Sequence, residues 1–375
     1  MTLKTLDAAS LRRALSLRDL SDPVGGPHAM QILLRDVVRA LVAAWDCDVL
    51  ERRECPIVSC AEGYDRLGYP PTGRARDARY TRYLNERTIL RTQTSAAIPR
   101  LLDELRADER PDLLLVCPGL VYRRDTIDRL HVGEPHQVDL WRLRRGPKLE
   151  ACDLQAMVAE VCAALWPGRR YRTSPARHPY TEQGLEIEVR EGREWVEVGE
   201  CGLAAPWLLA DCGHDTGAVN GLAMGLGLDR ALMLRKGIRD IRLLRARDAR
   251  VAAQLQDLEP YRPVSKQPAV RRDLSLAIAA GTHIEELGDR VREALGSAAA
   301  CVEHLEIVAE TAQGALPAQA LRRLGLVEGQ VNVLLRVVLR HPTASLRRRE
   351  ANQLRDRIYL ALHEGRAGEW TARSS

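Results

Sequence analysis

Two arginine-bearing segments carry residue types that handle phosphate. The first is VYRRDTIDRLH at 121–131. Arg123 closes an apolar run and stands two residues before Asp125. A guanidinium is a planar fork that binds phosphate oxygens in pairs. A triphosphate that loses pyrophosphate needs such fixed positive charge at its α-phosphate. Downstream, His131, His136, Gln137 and Asp139 fall within nine residues. Alternation along HQVD puts Gln137 and Asp139 on one strand face, and a carboxylate beside an amide suits an ammonium group. The second segment is GLAMGLGLDR at 221–230. Its glycines let the backbone lie close to a ligand, and Arg230 would project toward the same ligand as Arg123. A glycine-rich string alone also fits simple strand–helix packing. A dinucleotide loop would follow a short parallel strand and precede an acidic ribose binder, and neither fits here.

Those residues need a scaffold. Apolar spacing of three and four predicts helices over 28–45, 95–106 and 150–166. The apolar run 113–123 reads as a buried strand entering the first segment, and 136–146 as the strand leaving it. Between them the polar string RDTIDRLHVGEP reads as the turn of a hairpin. Alternation over 185–202, with a glycine turn, predicts a second hairpin. Residues 217–237 run from glycine-rich strand into helix. This order gives antiparallel strands with flanking helices, not the regular βαβ alternation of a doubly wound fold. The prolines of YRPVSKQPAV at 261–270 mark a linker near 256–268. Beyond it a β-α-β-β-α order, with a possible further short strand, fits a ferredoxin-like split βαβ.

The chain has 375 residues, which suggests two or three domains. No run of eighteen apolar residues predicts a membrane span, and the N-terminus has no apolar signal region. The nine cysteines are scattered with no CxxC pair, which points to reduced thiols in a cytoplasmic protein and against structural zinc. The net charge of +5 is compatible with nucleic acid without demanding it. The chain contains no phenylalanine, although it has nine tyrosines and six tryptophans.

In order along the chain, several strings resemble one family. PHAM (27–30), YDRLGYPP (64–71), ARDARYT (75–81), LRTQTS (90–95) and HPYTEQGLEIEV (178–189) accompany the two arginine segments, VEVGECGL, GIRDIRLL and PYRPVSKQPAVRRDLSLAI. The two segments resemble motifs 2 and 3 of class II aminoacyl-tRNA synthetases. The whole is most similar to phenylalanyl-tRNA synthetases of the single-chain form, with a fused anticodon-binding domain. The resemblance spans roughly residues 20–365. It implies an α+β fold: an antiparallel-sheet catalytic domain over 1–255, the linker 256–268, and a ferredoxin-like anticodon-binding domain over 269–370.

The resemblance also implies roles. Arg123 would stabilise the α-phosphate of ATP and Arg230 the γ-phosphate, with Asp125 and His131 also in the nucleotide site. Ser95, Gln137 and Asp139 would hold the amino acid's ammonium and carboxylate groups. Gln93, His178, Tyr180 and Ala223 would line its side-chain pocket, Ala223 leaving room for an aromatic ring. Glu197 and Glu200 are the candidates beside Mg2+. The partners implied are an amino acid and tRNA, without a membrane, with the protein a monomer or homodimer.

Departures from the family concern specificity. Gln93 stands where the family has His, Asp139 where it has Glu, and His178–Pro179–Tyr180 where it has Phe-Pro-Phe. Two apolar walls become polar-tipped, which alters what a pocket accepts. Equally, tyrosine and histidine are serviceable planar replacements in a chain without phenylalanine. On the C-terminal helix, Arg347, Arg348, Arg349 and Arg355 could follow an RNA backbone or simply be solvated. Leu354, Ile358, Ala361 and Leu362 would face a sheet. Two other functions stay open at this point: a paralogue that loads a non-tRNA acceptor or serves a natural-product pathway, and a non-catalytic binder of amino acid or RNA. Retention of Arg123 and Arg230 argues against the latter. A synthetase made without phenylalanine could be translated while charged Phe-tRNA is scarce.

Overall fold

The structure, a computed structural model, describes residues 5–367. The ends of the expected domains, residues 1–4 and 368–370, lie outside the described residues. The chain divides into two units. The first comprises the residues up to Arg123, Glu134–Arg239 and Ala253–Tyr261. The second comprises Arg124–Gly133, Asp240–Ala252 and the chain from Arg262.

A seven-stranded sheet organises the first unit. Its strands are β1 (Asp48–Glu51), β2 (Asp112–Leu120), β3 (His136–Arg145), β4 (Tyr171–Pro175), β5 (Thr181–Glu191), β6 (Glu194–Ala204) and β7 (Val219–Gly227), in the order β1-β2-β3-β7-β6-β5-β4. Only β1 and β2 run parallel; the other neighbours are antiparallel. An antiparallel sheet can present one face to a core and leave the other for a site. The helices packed on it include α1 (Ala29–Trp45), α2 (Ala151–Leu165) and α3 (Leu228–Lys236), and the shorter Ile98–Glu104 and Pro206–Asp211 pack beside Trp141 and Ala223. Helix α1 begins where the His28 imidazole accepts from the Met30 N–H, and it buries Leu33, Leu34, Val37 and Leu41 at helical spacing. Helix α3 ends at Gly237, whose φ of 69° is a left-handed C-terminal stop.

A small antiparallel sheet, Ile57–Ser59, Thr88–Leu90 and Tyr83–Asn85, supports the segment 91–95. There the Arg91 guanidinium passes over Gly119, lying where a Cβ on that residue would stand. It donates to the carbonyls of Leu120, at 2.9 Å, and Glu54, at 3.2 Å. Arg91 thereby ties the small sheet to β2.

In the second unit, β8 (Val270–Ala279), β9 (Val302–Ala312) and β10 (Gln330–Leu339) form an antiparallel sheet in the order β8-β10-β9. Helices α4 (Ile284–Leu295) and α5 (Arg348–Leu362) supply Leu287, Val291, Ile358 and Leu362 to its core. Leu354 and Ile358 are buried as the spacing requires, while Ala361 is only half-buried. A short helix, Ala318–Leu324, separates β9 from β10, and the described residues add no further strand to this sheet.

The segment 124–133 is not a free hairpin turn. Ile127 enters the core of the second unit, where its carbonyl accepts from Leu305. Arg292 donates to the carbonyls of Asp125 and Thr126, both at 2.6 Å. An apolar residue inside a polar loop is the local reason.

Candidate functional site

Strands β3, β7 and β6 place the candidate residues of the first unit on one sheet face. Gln137, Asp139 and Trp141 alternate onto it from β3. Register sets Gly225 of β7 between Asp139 on one side and Glu200 of β6 on the other. A Cβ built on Gly225 would meet nothing within 4 Å, so the glycine leaves open space above the sheet.

Both arginines reach this face. The Arg123 Nε donates to the Thr92 carbonyl at 2.7 Å. The Arg230 Nη1 donates to the Glu197 carbonyl at 3.1 Å and faces its carboxylate at 3.3 Å. The chain start of α3 is fixed by its neighbour Asp229, a buried carboxylate. It accepts from the His136 backbone N–H and, at 3.0 Å, from the ring Nδ1. His136 is itself wholly buried, and its Nε2 accepts from the Leu20 N–H at 3.0 Å. Donation at Nδ1 and acceptance at Nε2 make it a structural link between β3 and α3, not a ligand.

Glu197 and Glu200 are three apart, which in a regular strand would put them on opposite faces. The β5–β6 register breaks here. Ile187 pairs with Gly199 and Glu188 with Glu197, so Val198 is the extra residue of a bulge. The bulge brings both glutamates to the side of Glu186 and Glu188. Glu200 is pushed up to about 7, first by burial, then by the carboxylates of Glu197 and Glu186, with Arg123 pulling it down. Its carboxyl meets the His178 Nε2. Burial lowers the His178 imidazole below its ordinary range. Both shifts favour a neutral carboxyl donating to a neutral ring.

Asp139 is only 3% exposed. It accepts from Thr94 at 2.6 Å, from Ser95 at 2.9 and 3.0 Å, and from the Trp141 indole at 3.2 Å. Burial raises its carboxyl despite these donors and the nearby Arg91 charge. Tyr180 is buried, with its hydroxyl 3.4 Å from Ser95. Ala223 is buried in the same apolar cluster. Gln93 accepts from Tyr69 at 3.2 Å, and Tyr69 reaches His178 at 3.5 Å. Gln137 is half-buried. Trp141, Tyr69 and Thr94 were not among the expected site residues. Alternation from Asp139 points to Trp141; Tyr69 and Thr94 join through loop geometry that no periodicity reveals.

The remaining candidates lie in the second unit. The His131 Nδ1 meets Asp128 at 2.8 Å, and Asp125 accepts from Arg292 through its carbonyl. Arg347, Arg348 and Arg349 are exposed at the start of α5. Arg355 is half-buried and paired with Asp356 at 2.6 Å.

The donor set suits a hard divalent ion. Magnesium is usually held by one or two carboxylates together with substrate phosphates. Glu186, Glu197 and Glu200 crowd one face and offer such oxygens, while Glu188 is paired with Arg172 at 2.6 and 2.9 Å. Among the described residues, no three His, Cys, Asp or Glu side chains make a ready chelate. All nine cysteines are free thiols. Among the described residues, no helix is long and apolar enough to cross a membrane.

The family model described as "tRNA synthetases class II core domain (F)" matches residues 25–255. The phenylalanine–tRNA ligase alpha subunit of Prochlorococcus marinus (strain NATL2A) is 35% identical over 191 residues, 51% of this chain and 55% of that protein. The alpha subunit from Nostoc punctiforme is 34% identical over 191 residues, 51% and 56% of the two chains. The one from Leuconostoc citreum is 30% identical over 243 residues, covering 62% of this chain and 69% of its own. The chain spans about half the length of the first two relatives.

Proposed function

The chain belongs to the class II tRNA synthetase core family (F), and on that premise we propose that it is a ligase that uses ATP to activate an amino-acid carboxylate as an aminoacyl-adenylate and passes it to tRNA. One observation carries the reading. Arg123 and Arg230 flank one carboxylate face: Arg123 acts electrostatically on Glu200, and Arg230 grips Glu197. Two fixed cations beside crowded carboxylates are what a metal–triphosphate needs and what a packing surface avoids.

In this reading the Arg123 guanidinium binds the reacting α-phosphate, and Arg230 holds the departing pyrophosphate. The open surface at Gly225 admits a flat group against the sheet. Glu197 and Glu200 hold Mg2+, which when bound neutralises phosphate charge. The catalytic contribution is positioning and electrostatics. Ser95, Gln137 and Asp139 organise the amino acid's polar end, and Gln93, His178, Tyr180 and Ala223 its side chain. The second unit, with strand order β8-β10-β9 and two covering helices, is read as ferredoxin-like and RNA-binding, with Arg347, Arg348, Arg349 and Arg355 toward the backbone. We assign residues 1–255 to catalysis, 256–268 to the linker and 269–370 to tRNA contact, in a cytoplasmic monomer or homodimer.

ATP–pyrophosphate exchange across an amino-acid panel tests the proposal, with phenylalanine first because of the relatives' names. Amino-acid-dependent exchange is expected, and Arg123→Ala should lower kcat by about 100- to 1000-fold. No exchange with any amino acid would end the adenylation reading. Exchange without charging of bulk tRNA would direct the adenylate to another acceptor.

A further inference from the structure

The side chains expected to cradle an aromatic substrate pack instead against one another. We infer that the amino-acid pocket of the first unit takes a short side chain, such as that of alanine or serine, and excludes aromatic ones; this rests on the adenylation reading above.

The floor expected to leave room for a ring is Ala223. Its direct partner across the β3–β7 ladder is Trp141. Trp141 is 0% exposed and belongs to the same apolar cluster as Ala223 and Tyr180. Its indole nitrogen is committed to Asp139 at 3.2 Å. Trp141 and Ala223 thus stand side by side on one sheet face, and Ala223 is itself only 3% exposed within that cluster, so the protein's own side chains fill the layer at the small residue.

The neighbouring rings close the rest. Trp141 and Tyr180 lie nearly parallel with centroids 6.2 Å apart. A third ring between them would need about 7 Å, twice the contact distance of stacked carbons. His178 stacks on Tyr180 at 5.5 Å, and Tyr69 meets it edge-on at 6.2 Å. All three separations fall within direct aromatic contact. Admitting a substrate ring would require expelling the indole, losing its hydrogen bond and its packing together.

What stays reachable is a polar rim. Tyr69, Gln93, His178 and Glu200 are half-buried, as is Gln137 on the adjoining strand. A methyl or hydroxymethyl group ends at this rim without needing ring-sized space.

Calorimetric binding of alanyl-, seryl- and phenylalanyl-sulfamoyl adenosine to the full chain tests this without turnover. The alanyl or seryl compound should bind about tenfold or more tighter than the phenylalanyl one. Trp141→Gly should reverse the order by vacating the indole's volume beside Ala223. Phenylalanyl-sulfamoyl adenosine binding the unaltered protein as tightly as the others overturns the inference, as does binding of none of the three. The ranking with the unaltered protein decides even if the variant does not fold. Absence of pyrophosphate exchange alongside selective binding would sink the adenylation reading and leave the pocket assignment standing.

Discussion

Replacing Glu200 by glutamine should stabilise the protein in alkaline solution while impairing its chemistry. The carboxyl ionises at about 7 in the fold, against an ordinary 4.5, chiefly because it is buried and then because Glu197 and Glu186 crowd it. Below about pH 4.5 both folded and unfolded chains are protonated here, and the group costs the fold nothing. As pH rises, the unfolded chain ionises first, so stability falls until the folded carboxyl also ionises near 7; beyond that the loss is complete. The interval corresponds to roughly 3 kcal/mol at about 1.4 kcal/mol per pH unit. The side chain is 32% exposed, and solvent screening reduces the effect to about 1–2 kcal/mol. Glutamine keeps a donor for His178 and removes the charge. Urea unfolding followed by tryptophan fluorescence reads the first unit, which holds five of the six tryptophans. Glu200→Gln should exceed the parent by about 1–2 kcal/mol at pH 8.5 and match it at pH 4.5. A variant no more stable than the parent at pH 8.5 refutes the electrostatic account. In the parent, Mg2+ affinity should rise about tenfold from pH 6 to pH 8 as the carboxylate forms, and a flat profile would remove Glu200 from the metal site.

Three further outcomes are expected. Asp229→Ala strips a buried acceptor from the His136 backbone and ring, and should cost about 3 kcal/mol in chemical denaturation; a loss under about 0.5 kcal/mol would show the link to be dispensable. Changing Arg347, Arg348 and Arg349 together to alanine should weaken tRNA binding and flatten its salt dependence by about one to three counterions, with pyrophosphate exchange unaltered; unchanged tRNA affinity would mark this helix start as a solvated surface. Because the chain has no phenylalanine, its synthesis should persist longer than that of phenylalanine-containing proteins when a cell's phenylalanyl-tRNA supply is inhibited, as pulse labelling would report, and equal stalling would deny the composition that role.

Some of this protein was written in local pattern. Helical spacing marked α1, α2 and α5, because each buries a stripe whose period the sequence must repeat. Alternation marked β3, β5 and β6, and put Gln137 and Asp139 on one face. The two arginine segments pointed to phosphate chemistry, since few other residue types supply a fixed bidentate cation. What alternation could not convey was the bulge at Val198, which turns Glu197 and Glu200 to the same side; a bulge depends on how two strands pair. Nor could the polar string after Arg123 announce that Ile127 buries itself in the second unit, because its destination lies far along the chain. The largest difference concerns the pocket. Ala223 alone suggested room for a ring. Only the antiparallel register of β3 against β7 sets Trp141 beside it on the same sheet face, and two side chains cannot share one volume. Sequence determined which residue types are present and which share a period; tertiary structure decided which of them share a volume, because volume is a property of neighbours.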